Sequence, residues 1–177
     1  MSRPDRIIPV IKLPEGLRLC AQNVRDFVNE AHLILSKGHG WHAIALAIFA
    51  FEELGKYSEL KRLGGEAQEN GLKEVKVKDE LFRSYDTKQN IAKQLVPKQA
   101  RTLLQGAFGS RNFDSRAFQT ETVSVEPNLR LECVFVDWLG DDWRLGAPHD
   151  TTRITMFLNP IVEALNKLEK LPLKSHS

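Results

Sequence analysis

Apolar positions are densest between Trp41 and Leu63, WHAIALAIFAFEELGKYSELKRL, where nine apolar residues in a row, Ala43 to Phe51, run into Glu52-Glu53-Leu54-Gly55-Lys56. A bilayer span takes about 20 residues, so this run is too short to cross one. Ala and Leu are strong helix formers and no proline interrupts the stretch, so the pattern predicts a helix. A helix that is apolar on nearly all sides belongs at the centre of a bundle. At about 100° per residue, His42, Phe49, Glu53 and Lys56 share one stripe, and Glu52 lies one turn before Lys56. Two carboxylates and an ammonium therefore end the most apolar helix of the chain, and buried charge needs partners from elsewhere in the fold.

The flanking pattern supplies those elements. Residues 1–15, punctuated by Pro4, Pro9 and Pro14, predict an extended, strand-like arm or a loose leader. A first helix is expected from about Gly16 to Lys37, apolar at Leu17, Val24, Phe27, Val28 and Ala31. Gly38-His39-Gly40 is its stop, so the first two helices form an antiparallel hairpin, with Gly64-Gly65 ending the second. Residues 66–73 read as a loop, and a third helix is expected from about Lys76 to Leu95. On it Lys88 follows Tyr85 by three residues and shares its buried side. Pro97 opens a shorter helix, about Lys98 to Phe108, and the polar stretch 109–128 reads as an exposed loop. Leu129 to Trp138 and Asp142 to Leu145 predict a β-hairpin, residues 129–148, turning at Leu139-Gly140-Asp141. A last helix, about Thr152 to Leu171, follows, which Pro160 kinks or restarts, and the tail beyond it frays. The expected fold is mainly α, one domain of 177 residues, a helical bundle with a small β-hairpin before the C-terminal helix.

Composition narrows the class. With 42% hydrophobic and 27% charged residues the chain is that of an ordinary globular protein. A net charge of +2 permits contact with nucleic acid without arguing for it. Cys20 and Cys133 are isolated, without a CxxC pair, so reduced thiols and the cytoplasm are expected. The N-terminus has no charged-then-apolar signal pattern, and no membrane association is expected. Gly38-His39-Gly40, Gly64-Gly65 and Gly106 to Gly109 match neither a phosphate loop nor a dinucleotide fingerprint, so no cofactor is expected. His39 and His42 lack the spacing of helical metal ligands, so no metal is expected either.

Four features in order then carry a resemblance: a helix ending FAFEELGKYSEL, a later F-x-x-Y-x-x-K, a strand VFVDW, and W-x-x-x-x-P before a closing helix. Together they resemble the abortive-infection proteins of the AbiV type, grouped with the HEPN-like helical domains, over about Asn23 to Leu168. The resemblance implies a bacterial phage-defence factor and a homodimer, and several HEPN relatives are RNases. It also implies a histidine in an H-x-x-K pattern where this chain has Tyr85 before Lys88. A phenol of pKa near 10 is a poor proton shuttle at neutral pH, so the change spares binding better than catalysis.

The candidate binding residues are Glu52, Glu53, Lys56, Tyr85 and Lys88. Converging between the second and third helices, they read a phosphate, a partner carboxylate or an RNA backbone, or else form a buried ion-pair network that fixes helix register. HEPN ribonucleases use an Arg and a His separated by four to six residues. Arg25 and His32 meet that spacing two helical turns apart, and Arg144 and His149 meet it across a loop. Arg25 and His32 are the weak catalytic candidates. Lys73, Lys76, Lys78, Arg83, Lys93, Lys98 and Arg101 make a basic face diluted by Asp79, Glu80 and Asp86, an RNA surface or a solvated one. Trp138 and Trp143 are expected to pack across the hairpin rather than to stack on bases. The expected function is to halt growth of the infected cell by binding a phage-encoded protein or the translation machinery. The alternative is a metal-independent HEPN-type ribonuclease.

Overall fold

A computed structural model describes residues 4–97, 137–139, 142–144 and 151–171. The helix expected at 98–108, the loop at 109–128, strand residues 129–136, the turn at 140–141, His149 and the tail lie outside them. In chain order the elements are β1 (Arg6–Pro9), a 3-10 turn (Val10–Lys12), α1 (Leu13–Ser36), α2 (Gly40–Glu69), β2 (Glu74–Val77), α3 (Glu80–Arg83), α4 (Tyr85–Ala92), β3 (Asp137–Leu139), β4 (Asp142–Arg144) and α5 (Thr151–Lys170). The fold is mainly α, as the pattern predicts.

Helix α2 is the axis, and α1, α4 and α5 pack around it. It buries residues on every side, from Ala43, Ile44 and Ala45 to Tyr57 and Leu60. Helix α1 answers with one stripe, Leu17, Cys20, Ala21, Val24, Val28 and Ala31, at the three- and four-residue spacing of an amphipathic helix. Phe27 of α1 meets Phe49 with ring centroids 5.7 Å apart, and Phe51 meets Phe157 of α5 at 5.6 Å. The α1–α2 turn closes with the Gly38 N–H donating to the Leu35 carbonyl (3.0 Å) and the His39 N–H to the Ile34 carbonyl (3.1 Å). Gly38 supplies the left-handed φ of +84° that this helix stop requires.

Two expectations are corrected and a third is narrowed. First, α2 does not end at Gly64-Gly65. Both glycines are buried inside the helix, and the stop comes at Asn70 and Gly71, where φ is +62°. The Gly71 N–H donates to the Gln68 carbonyl and the Leu72 N–H to the Ala67 carbonyl, the same hydrogen-bond closure used after α1. Tertiary packing holds the earlier glycine pair helical at a cost of about 1 kcal/mol per glycine, and residues 66–69 are helix, not loop.

Second, the expected third helix is three elements. Glu74-Val75-Lys76-Val77 alternates exposed and buried, the period of a strand, and pairs antiparallel with the N-terminal arm from Arg6↔Val77 to Pro9↔Glu74. Ser84 then takes an extended backbone, φ −83° and ψ 118°, which separates α3 from α4. Its hydroxyl accepts the Thr87 N–H at 3.2 Å and caps α4.

Third, α5 runs through Pro160 without a restart. Ile154, Phe157, Leu158, Ile161, Ala164 and Leu165 form one buried face across the proline, so packing against α1 and α2 outweighs the lost backbone hydrogen bond. The hairpin before α5 is present, with Asp137↔Arg144, Trp138↔Trp143 and Leu139↔Asp142 as its register.

Candidate functional site at the seam of α2 and α4

Glu52 and Glu53 are neighbours in sequence but point about 100° apart around α2, and the two carboxylates have different surroundings. Glu52 turns into the seam with α4 and is 3% exposed. Its Oε2 receives the Lys88 ammonium at 3.1 Å, and its Oε1 accepts from Gln89 Nε2 at 3.1 Å. Consecutive residues of α4 thus satisfy both oxygens of one buried carboxylate. Gly55 explains how α4 comes so close. A Cβ there would stand 1.9 Å from the Lys88 carbonyl oxygen, so only glycine lets the two backbones touch. In the EELGK stretch the first Glu anchors α4 and the Gly admits it.

Glu53 lies at the rim. Its Oε1 meets Lys56 Nζ at 2.6 Å, one turn along α2, and both side chains stay partly exposed. Its Oε2 is shielded from solvent, with the Cys20 thiol of α1 as the hydrogen-bonding group beside the carboxylate. Cys20 of α1 sits beside this pair and is a free, buried thiol. Burial pushes its pKa up to about 11; the Lys56 charge opposes the rise and the Glu53 carboxylate adds to it. It is a protonated packing residue at neutral pH, not a nucleophile.

The structure therefore brings four of the five expected binding residues together as two pairs, Glu52–Lys88 and Glu53–Lys56, on adjacent faces of α2. Tyr85 opens α4, one turn before Lys88, and is partly buried. Next to it, Asp86 Oδ1 is also shielded and has no hydrogen-bond partner among the described residues. Arg25 and His32 share a face of α1, and Arg25 is bound across the bundle to Glu169 of α5, with Nη2 2.5 Å from Oε2. Tyr57 lies near this pair: burial raises its pKa, the Glu169 charge adds to the rise and Arg25 opposes it. Arg144 falls in β4, and its partner His149 is outside the described residues. Lys76 and Arg83 of the basic face are paired with Asp5 and Asp79. The rings of His39 and His42 stand 6.1 Å apart, and among the described residues no three His, Cys, Asp or Glu side chains group as metal ligands. No described helix is long and apolar enough to cross a membrane.

Three features lay beyond sequence reasoning. Gln89 bonds Glu52, yet nothing marks a glutamine as buried except its place beside Lys88. Asp79, 8% exposed, receives Arg6 Nε on Oδ1 at 3.1 Å and Arg83 Nε on Oδ2 at 2.8 Å, joining segments 73 residues apart. Lys61 of α2 donates to the carbonyls of Leu168 and Leu171, closing the end of α5. Burial lowers the Lys61 pKa and the Glu169 charge opposes that shift.

Neither a curated protein nor a solved structure matches the chain at a significant level. A family model described as AbiV, of the HEPN group, matches residues 12–157, from the start of α1 into α5. With that match over most of its length, and with the α2–α4 seam built from its EELGK stretch, the chain belongs to the AbiV family of HEPN proteins.

Proposed function

We propose that this protein serves abortive infection as a binder rather than a nuclease. It halts growth of the infected cell by engaging a phage-encoded protein or a component of the translation machinery. Its working surface is the rim of the α2–α4 seam, Glu53, Lys56 and Tyr85, braced from beneath by Glu52, Lys88 and Gln89. AbiV membership suggests the phage-defence role. In keeping with HEPN kinship the protein acts as a homodimer in the cytoplasm.

The observation that carries a binding role is the charge pair at the rim. Glu53 and Lys56 stay partly exposed, so a carboxylate and an ammonium stand side by side where a partner's charged groups can meet them. Acid–base chemistry has less support at the seam, whose titratable groups among the described residues are carboxylates, lysines and a phenol. The alternative, a metal-independent ribonuclease using Arg25 and His32, requires Arg25 to work while bound to Glu169.

Two assays run side by side test this. Purified protein is incubated with total bacterial RNA in EDTA, and cells expressing it are challenged with phage. A binder leaves the RNA intact. Glu53→Ala together with Lys56→Ala then abolishes protection with the melting temperature nearly unchanged, while His32→Ala still protects. RNA that the wild type cuts and His32→Ala does not would overturn the binding role in favour of the ribonuclease.

A further inference from the structure

We propose that β1 is a detachable strap that seats α3 and, through it, α4, so that releasing the strap loosens the Lys88 contact with Glu52. The strap is held by polar contacts and by the partial packing of Ile8 on the core. It makes its ladder with β2, and the Val10 N–H donates to the Lys73 carbonyl at 2.9 Å. Arg6 binds Asp79 and also lies over the Phe82 ring, 4.1 Å from its centroid, while Asp5 meets Lys76 at 3.3 Å. No residue of β1 is fully buried; Arg6, Ile7 and Pro9 are exposed and Ile8 is only partly covered. Segments with so little apolar burial open at low free-energy cost.

What the strap grips decides the consequence. Asp79 and Phe82 belong to α3 and its cap, a single turn of four residues in which only Leu81 is buried and no side chain caps the N-terminus. Helix α4 follows after one extended residue, Ser84, and is only eight residues long. Helices this short do not persist alone in water. The seat of α4 therefore depends on its packing against α2, with the Glu52 contacts at Lys88 and Gln89 near its middle, and on α3 at its start. Arg6 fixes α3 from outside by engaging Asp79 and Phe82 together. With Arg6 gone, Asp79 keeps Arg83, a partner four residues along the same segment that ties α3 to nothing else. Loss of the strap thus frees the N-terminal end of α4 without touching the core of α2. The structural coupling stands on these contacts alone; its use in regulating the seam rests on the binding role proposed above.

Native-state hydrogen exchange, read by mass spectrometry on the full chain, tests the coupling. The proteins compared are the wild type, Arg6→Ala and Arg6→Lys, and the segments followed are 6–9, 85–92 and, as internal reference, 43–54. Arg6→Ala is expected to speed exchange across 85–92 by about five- to tenfold, the effect of losing an exposed ion pair and a cation–π contact together. The reference segment stays at the wild-type rate, and Arg6→Lys lies between. Faster exchange confined to 6–9 overturns the coupling, because the strap then opens without moving α4. Equal acceleration of 85–92 and 43–54 overturns it as well, since the change is then global. No partner enters this measurement, so a failure here is distinct from a failure of the binding role.

Discussion

Two carboxylates of this protein are held alike and stabilised differently. Glu52 at the seam and Asp79 under the strap are both nearly buried, and each is met by two side chains. The difference lies in the cations. The Lys88 side chain is 12% exposed, whereas those of Arg6 and Arg83 are 45% and 48% exposed. Lys88 has given up its water for Glu52, so its removal leaves a charge in the core with little to replace it. The arginines at Asp79 keep much of their hydration, and solvent can take over part of what either supplies. Burial of the partner, more than of the carboxylate, sets how much each pair is worth. The seam is accordingly the stronger structural joint, and the contacts of Arg6 and Arg83 with Asp79 the weaker one.

The largest expected effect lies at the seam. Lys88→Ala should destabilise the fold by about 3–5 kcal/mol, as for a broken buried pair, measured as a drop in urea midpoint. Lys88→Met combined with Glu52→Gln should recover most of it, because the uncompensated charge goes as well. A loss below about 1 kcal/mol for Lys88→Ala would place the seam in the same class as the strap. Gly55→Ala comes next. Its Cβ meets the Lys88 carbonyl, so α4 has to move and the cost is about 1–3 kcal/mol or more. An unchanged melting temperature would mean that the backbones do not touch.

A pH series sharpens the comparison at the rim of the seam. The Cys20 thiol ionises near its ordinary value of 9.0 when unfolded and at about 11 when folded, chiefly because of burial. Above pH 9 the unfolded chain holds fewer protons at this site, so stability falls as pH rises. The contribution is whole below pH 9 and is lost between pH 9 and 11. Cys20→Ala should flatten that part of the stability curve, and a decline equally steep in the variant would remove the thiol as its cause. The smallest effect is at Asp79: Arg83→Ala should cost less than about 1 kcal/mol and less still at high salt. A salt-independent loss of several kcal/mol would show that the Asp79 pairs are no weaker than the seam.

Sequence and structure part company along physical lines. The apolar run Ala43 to Phe51 and the seven-residue spacing of Leu17, Val24 and Ala31 are local signals, and they place α1 and the start of α2 within a few residues of their bounds. The EELGK and Tyr85–Lys88 stretches likewise announce charge on buried faces, and the structure joins Glu52 to Lys88. The strand at Glu74 to Val77 escaped because its partner, the Pro-punctuated arm, lies about 70 residues away, and nothing local distinguishes Val75 and Val77 as strand positions from a helix start. The end of α2 escaped because glycine is both a helix stop and a packing residue. Gly64-Gly65 serves in the second way and Gly71 in the first, and burial alone separates them.

By itself, then, the sequence determined the class of the fold, the central helix, and the charges buried where α2 meets α4, since periodicity and the cost of desolvating a charge are properties of the chain at short range. Only the tertiary structure decided which charge meets which: Glu52 with Lys88 and Gln89, Glu53 with Lys56, Arg25 with Glu169, and Asp79 with Arg6 and Arg83. Adjacent residues on a helix diverge by about 100°. Whether a carboxylate faces the core or the rim therefore depends on where neighbouring helices come to rest, and here that is set by one glycine which allows two backbones to touch.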